Sequence, residues 1–246
     1  MGSNPFDIFT LVTLLILAVI MPLNGIWDFR RLLRWIEEGR ADARIKSYTW
    51  ILIMQWGLVL GLGGYWVMAG RGLAPLRLIP TAAGWQWLAV GIGATVTAYT
   101  VWQMFTIIGS SDKLDEARDQ IGELIGLAPQ SAGEMRWFNS VAVTAGVCEE
   151  ILYRGILLAA MTPLVGMWPA VFISSVIFGL GHAYQGPAGI LKTSLIGLFL
   201  ALLTVFSGSL FVAMLLHTVG DITSGRIMAA ADQEVSGSPE TKLNTM

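Results

Sequence analysis

The chain contains seven long apolar segments, and they constrain its fold more than any other feature. A helix needs about 20 mostly apolar residues to cross about 30 Å of hydrocarbon. Inside a bilayer every backbone polar group must be hydrogen-bonded internally, which a helix achieves within one segment. The sequence therefore predicts an all-α polytopic transmembrane bundle of about 7 spans, within a range of roughly 6–8. The segments cover approximately residues 8–27, 48–69, 85–108, 137–160, 168–183, 190–206 and 209–228.

Composition supports a membrane protein and excludes some partners. Hydrophobic residues make up 54% of the 246 residues and charged residues only 13%, whereas soluble domains carry about 25% charged residues. The net charge of −2 creates no positive field for nucleic acid, so we expect no nucleic-acid partner. The single cysteine, Cys148, cannot form an internal disulfide, and burial beside Glu149 is expected to leave its thiol inert.

Lysine and arginine are distributed unevenly between alternate loops, which predicts the orientation. Two basic residues, Arg71 and Arg77, fall on one side of the predicted bundle. The positive-inside rule places the richer side and the C-terminal tail in the cytoplasm and the N-terminus outside. We therefore expect a multi-pass protein of the cell membrane, with membrane lipid as its immediate partner. The richer side carries Arg30, Arg31, Arg34, Arg40, Arg44, Lys46, Lys113, Arg118, Arg136, Lys192, Arg226 and Lys242.

Several ionisable residues lie inside the apolar segments. Such residues are costly at membrane depth and indicate a functional site by default. The chain has only two histidines, and both lie on segments near the predicted buried acids. The residues concerned are Glu149, Glu150 and Arg154 in the fourth segment, His182 at the end of the fifth, and His217 and Asp221 in the seventh.

The spacing of these residues predicts their geometry. Glu150 and Arg154 are four residues apart, as are His217 and Asp221, so each pair shares one helix face. Glu149 lies about 100° around the helix from Glu150 and is free to face a different neighbour. At about 1.5 Å per residue, Glu149, His182 and His217 all fall in the cytoplasmic half of the membrane. The sequence thus allows one polar cavity that opens to the cytoplasm.

A carboxylate and a histidine around one water predict hydrolytic chemistry. The carboxylate takes a proton from the water, and a second histidine stabilises the oxyanion that forms when this water attacks a carbonyl. The same side chains suit a divalent metal such as zinc with an open water position. The H-E-x-x-H motif of many zinc peptidases is absent from the sequence,. Both the metal-free and the metal-dependent hydrolase remain open on the residues alone.

Three motifs occur in order on the fourth, fifth and seventh predicted spans: Glu149-Glu150-x-x-x-Arg154, Phe178-x-x-x-His182 and His217-x-x-x-Asp221. In this order they resemble the motifs of the CPBP intramembrane peptidases, a family that includes type II CAAX prenyl endopeptidases and bacteriocin-linked proteins. The resemblance covers about residues 137–228, which would form the catalytic core, and residues 1–136 match the family only in being helical. Those residues are expected to form N-terminal transmembrane helices with amphipathic interfacial helices near 29–38 and 112–126, and residues 229–246 a polar tail.

The resemblance also implies roles for the motif residues. Glu149 and His182 would activate the water, His217 and Asp221 would lie on the oxyanion side, and Glu150 with Arg154 would support them. The implied mechanism is of the glutamate type without a resident cofactor, and the implied substrate is a peptide or protein at the membrane, prenylated or not. The family pattern often has Asn where this chain has Asp221. An ionised Asp cannot donate to an oxyanion, so Asp221 would have to be protonated or orient His217.

Two other classes of function compete with the peptidase. A non-catalytic membrane scaffold or a bacteriocin immunity protein could have the same fold, with its buried charges serving only to join helices. A transporter would favour polar, broken helices in both halves of the chain, whereas the ionisable residues here cluster in one half. Convergence of Glu149, His182 and His217 on one site would favour the enzyme, and a Glu149 that faced lipid would exclude it.

Overall fold

The computed structural model describes residues 8–78 and 83–237, and every regular element within those ranges is a helix. We number the helices α1 (Ile8–Glu37), α2 (Ala43–Met68), α3 (Gln86–Ile108), α4 (Ser111–Ile121), α5 (132–165), α6 (Met167–Gly181), α7 (Gly186–Ser207) and α8 (Leu210–Gly237). A π-helical stretch, Glu150–Leu157, lies within α5 between two α-helical parts. Short 3-10 turns, Gly122–Leu127 and Ala183–Gln185, follow α4 and precede α7.

Four helical stretches in the described ranges are long and apolar enough to cross a membrane: α1, α2, α3 and Ala183–Ser207. Helix α6 is apolar but shorter. Helices α5 and α8 carry the buried ionisable residues. Each of the seven predicted segments coincides with a helix, and the all-helical fold is therefore confirmed, but the count of about 7 spans is confirmed only for these four.

Large apolar side chains cover the outside of the bundle. Leu60 on α2 and Leu88 on α3 are each 70% exposed, and Trp85 and Trp168 lie exposed at the starts of α3 and α6. Exposed apolar surface of this extent is typical of a protein whose exterior contacts lipid. The exterior thus supports the membrane location.

Helix α1 differs from its prediction because it continues without a break to Glu37. The expected interfacial helix near residues 29–38 is therefore not a separate helix. Its apolar side, with Phe29 and Leu32 buried, extends the face by which α1 packs on the bundle. A helix of 30 residues is about 45 Å long and exceeds the hydrocarbon thickness, so its basic last third extends beyond the hydrocarbon.

The second expected interfacial segment corresponds to α4 and the 3-10 turn after it. Leu114 on α4 is buried, and Arg118 donates from Nη1 to the carbonyl oxygen of Ala231 on α8 at 3.1 Å. Helix α4 therefore lies against α8. Because α8 continues to Gly237, residues 229–237 of the predicted polar tail are helical, and residues 238–246 lie outside the described residues.

Two pairs of helices approach so closely that only glycine fits between them. A Cβ at Gly146 of α5 would overlap the side chain of Thr218 on α8 and lie 2.8 Å from its backbone nitrogen. A Cβ at Gly179 of α6 would overlap Ser194 on α7 and lie 2.6 Å from the carbonyl oxygen of Ile190. Small residues allow such backbone contact between membrane helices, and these two contacts fix α5 against α8 and α6 against α7.

The largest apolar core surrounds the second half of α5. Leu152, Ile156 and Leu157 are fully buried there, against Leu17 of α1 and Phe178 of α6. Helix α5 is therefore central to the bundle. The acidic residues of its first motif come directly before this core, so their environment is set by packing on several sides.

Candidate active site

Glu149 and Glu150 lie where α5 changes from α-helical to π-helical geometry. The first α-helical part is Ala132–Glu149 and the π-helical stretch is Glu150–Leu157. A π-helical turn interrupts the regular backbone ladder and is found frequently at functional sites. The motif residues thus occupy a locally unusual part of a central helix.

Glu150 joins two other predicted site residues through one carboxylate oxygen. Its Oε1 accepts a hydrogen bond from Nη1 of Arg154 and another from Nδ1 of His217, each at 2.9 Å. Arg154 also donates from Nη2 to the carbonyl oxygen of Gly197 on α7 at 3.0 Å. The side chains of Glu150 and Arg154 are both 0% exposed. An unpaired charge at such a buried position would be very costly. The predicted Glu150–Arg154 ion pair is present, and Glu150 additionally holds His217.

Glu149 faces a different set of neighbours. Its Oε1 accepts a hydrogen bond from Nε2 of Gln55 on α2 at 2.8 Å. Its Oε2 is buried, has no hydrogen-bond partner among the described residues, and lies 3.9 Å from Nε2 of His217. Glu149 therefore points into the bundle and not to lipid. Glu149 contacts α2 and its neighbour Glu150 contacts α8, as the rotation between neighbouring helical residues predicts.

His182 reaches the same region from the end of α6. Its Nδ1 lies 3.0 Å from the carbonyl oxygen of Phe178. A carbonyl oxygen only accepts, so Nδ1 carries the hydrogen and, in the neutral ring, Nε2 is left as an acceptor. No hydrogen bond or ion pair joins His182 to Glu149 within the described residues.

The ring of Phe178 connects the two histidines. Its centroid lies 4.9 Å from that of His182 and 5.8 Å from that of His217, in an edge-to-face arrangement with the latter. The guanidinium carbon of Arg154 lies 4.1 Å from the same ring, a favourable cation–π distance. Phe178 therefore packs the second motif against the first and the third.

Asp221 forms the outer edge of this group. Its Oδ2 lies 3.6 Å from Nε2 of His217, and its side chain is 39% exposed, compared with 9% for His217. Asp221 thus lies near Nε2 of His217, whereas Glu150 accepts a hydrogen bond from Nδ1 of the same ring. The structure brings Glu149, Glu150, Arg154, His217 and Asp221 into contact, and it places His182 beside them through Phe178.

The sequence-based prediction missed one residue of this site. Gln55 is only 4% exposed and comes from α2, in the half of the chain where no site residue was expected. A lone amide inside an apolar segment was the available signal. The prediction considered only ionisable residues within the spans.

A surface cleft of about 340 Å³ lies next to His182. Tyr184, whose ring centroid is 6.0 Å from that of His182, forms part of its wall. Phe29 of α1 and Leu124 of the turn after α4 form other parts. His182 itself does not line the cleft, but Tyr184 in the cleft wall is in ring contact with it.

A metal ion in a protein is held by several His, Cys, Asp or Glu side chains. Within residues 8–78 and 83–237, no group of three or more such side chains forms a set that could hold one. The Oε1 atoms of Glu149 and Glu150 are directed at Gln55, Arg154 and His217.

Comparison with known proteins agrees with the motif resemblance. Searches of curated proteins and of solved structures found no match. The match to a family model covers α5 to α8 up to Thr223 and includes all six predicted site residues. Residues 132–223 of this chain are similar to the type II CAAX prenyl endopeptidase Rce1-like family, a family of membrane peptidases, and the predicted resemblance is thereby confirmed over that region.

Proposed function

We propose that this protein is an intramembrane endopeptidase of the glutamate type, in which Glu149 and His182 activate a water molecule without a metal ion. The observation that carries the proposal is the buried Oε2 of Glu149, which has no hydrogen-bond partner among the described residues. A buried acceptor that serves only stability is normally paired. An unpaired one in a site with two histidines suits a bound water.

The first chemical step uses two acceptor atoms of this site, Oε2 of Glu149 and Nε2 of His182. A water that donates to Oε2 of Glu149 and to Nε2 of His182 is polarised from two sides. Glu149 takes a proton from the water while the oxygen attacks the carbonyl carbon of the scissile peptide. The carbonyl π electrons move to its oxygen, which becomes an oxyanion. Glu149 then gives the proton to the leaving amine, and the C–N bond breaks.

His217 is placed to stabilise the oxyanion. Because its Nδ1 donates to Glu150, the protonated ring directs its Nε2–H into the site, where it can donate to developing negative charge. Arg154 balances the charge of Glu150, so this acid orients His217 without acting as a competing base. Asp221, 3.6 Å from Nε2 of His217, would keep the ring in this orientation and need not donate itself.

We propose that the substrate is a peptide at the cytoplasmic membrane surface, with a prenylated CAAX sequence as the first candidate. The Rce1-like match supports this class, and the cleft beside Tyr184 would admit the peptide. The basic end of α1, with Arg30 and Arg34, would lie on the cytoplasmic side. Residues 137–228 would form the catalytic core, completed by Gln55 from residues 1–136.

The proposal is tested by cleavage of membrane-anchored peptides, with and without a prenyl group, by purified protein in lipid vesicles. We expect turnover by the wild type and a large loss in Glu149→Ala and His182→Ala. Equal turnover by all three would overturn the mechanism. No turnover of any peptide would favour a scaffold or an immunity protein.

Two controls separate the remaining mechanisms. Cys148→Ala removes the buried thiol next to Glu149 and should retain turnover, because a thiol nucleophile is not involved. Addition of a strong chelator should leave turnover unchanged, with no metal found in the purified protein. Loss of turnover in chelator that zinc restores would replace the metal-free mechanism by a metal-dependent one.

A further inference from the structure

Gln55 is the contact through which the N-terminal half of the chain reaches the proposed catalytic acid. It lies on α2, outside residues 132–223, and its side chain is buried in an apolar segment. Nε2 donates to Oε1 of Glu149 at 2.8 Å. A carboxylate only accepts, so the amide must present its nitrogen to Glu149. The orientation of the amide is thereby determined.

In that orientation the amide oxygen of Gln55 points away from the Glu149 carboxylate oxygen that its nitrogen contacts. Oε1 of Gln55 is buried and has no hydrogen-bond partner among the described residues. Two acceptors, Oε1 of Gln55 and Oε2 of Glu149, are thus without a partner in one small region. Leaving both unsatisfied in a folded protein would be costly. Water would satisfy both: the water shared by Glu149 and His182 donates to Oε2 of Glu149, and a second water would donate to Oε1 of Gln55.

We infer that Gln55 is a positioning residue for Glu149: its amide nitrogen fixes one carboxylate oxygen so that the other is held toward the attacking water. This inference rests on the proposed function. Without the amide, the Glu149 side chain could rotate away from the histidines. A shift of about 1 Å in a catalytic group can lower the rate by about 100-fold. Substrate binding would be unaffected, because Gln55 contacts Oε1 of Glu149 whereas His217 approaches Oε2.

The test uses the full-length protein in vesicles and compares kcat with KM. Gln55→Met keeps the length and volume of the side chain and removes the amide. Gln55→Ala removes the amide without adding bulk, in case the Met variant does not fold. We expect each to lower kcat by about tenfold or more with KM nearly unchanged.

A neighbouring contact supplies the matched control. Trp56, the next residue on α2, donates from Nε1 to Oγ1 of Thr144 on α5 at 3.3 Å. Thr144→Val removes a hydrogen bond between the same two helices without touching Glu149. We expect kcat to be unchanged in this variant. An equal fall in kcat for Thr144→Val and Gln55→Met would show that only helix packing matters and would overturn the inference.

A double variant distinguishes positioning from general destabilisation. In a Glu149→Gln background, the residual rate should not fall further when Gln55→Met is added, because the acid that Gln55 positions is already absent. A further fall by the same factor as in the wild type would overturn the inference. Full kcat in both Gln55 variants would overturn the inference alone, whereas an inactive wild type would overturn the proposed function and the inference with it.

Discussion

Two clusters of buried acidic residues in this molecule differ in how many of their carboxylate oxygens have a hydrogen-bond or ion-pair partner. In the cluster between α1 and α2, Asp28 accepts from Oγ of Ser47 at 2.7 Å and pairs with Arg31 through its other oxygen. In the candidate active site, Glu149 and Glu150 each leave Oε2 without a partner among the described residues. Both carboxylate oxygens of Asp28 thus have a partner, as is typical of a structural acid. In the proposed mechanism, the unpaired Oε2 of Glu149 is the atom on which the water acts.

The arginines of the two clusters differ in burial, with side-chain exposures of 16% for Arg31 and 0% for Arg154. Arg31 lies over Trp27 and Trp35, at 4.3 and 4.6 Å from their ring centroids, at the edge of the bundle. Arg154 is fully enclosed and contacts Glu150, Phe178 and the backbone of α7. Removal of residues from the first cluster should therefore change stability alone. Removal from the second should change turnover, stability or both.

The largest expected effect is on turnover in Glu149→Gln. The amide cannot take a proton from water, so kcat should fall by about 100-fold to 10,000-fold, the usual contribution of a general base. Asp28→Asn is the matched variant in the other cluster and should leave kcat unchanged. Peptide cleavage at saturating substrate measures both. A comparable loss of kcat in Asp28→Asn would remove the distinction between the two clusters.

The next effect is on stability in Arg154→Met. This change leaves Glu150 buried without its cation, and breaking a buried pair costs about 3–5 kcal/mol. Arg31→Met should cost less, because the Arg31 side chain is 16% exposed and Asp28 keeps Ser47. Unfolding in detergent–lipid micelles with increasing SDS measures both free energies of unfolding. A larger loss for Arg31→Met would contradict the ranking.

Asp221→Asn should have a smaller effect, this time on turnover. Oδ2 of Asp221 lies 3.6 Å from Nε2 of His217, beyond a direct hydrogen bond,, and Nδ1 of His217 remains bonded to Glu150. Loss of this partly exposed ion pair should cost about 1 kcal/mol or less, so kcat should change by no more than about tenfold. Single-turnover cleavage measures it. Abolished cleavage would show that the carboxyl group itself is required.

The smallest effect is expected for Ser47→Ala. Asp28 loses one neutral donor but keeps Arg31, so the free energy of unfolding should fall by about 1 kcal/mol. Turnover should be unchanged. SDS unfolding and peptide cleavage on the same preparation check the two parts. A loss of turnover without a loss of stability would mean that the Asp28 cluster takes part in function.

Local spacing predicted those parts of the site that lie on one helix. The Glu150–Arg154 contact follows from a separation of four residues, and so does the approach of His217 to Asp221. The divergent directions of Glu149 and Glu150 follow from the helical rotation. These features depend on one helix at a time, so a sequence is sufficient to derive them.

Contacts between helices could not be derived in that way. The bond from His217 to Glu150 and the bond from Gln55 to Glu149 depend on how α2, α5 and α8 are rotated about their axes. That rotation is set by packing, for example by Gly146 against Thr218. The π-helical stretch in α5 and the unbroken course of α1 to Glu37 also depend on the surrounding bundle. Periodicity in a single segment contains no information about them.

The glycine contacts have a consequence for the route that a peptide can take. Where α5 meets α8 at Gly146 and α6 meets α7 at Gly179, the backbones are too close for even a methyl group. An extended peptide cannot pass between the helices at these two contacts. A lateral route to the site between α5 and α8 at Gly146, or between α6 and α7 at Gly179, is therefore closed, whereas the cleft lined by Phe29 and Tyr184 lies at neither contact. At these two positions the absence of a side chain on glycine is what keeps a peptide out.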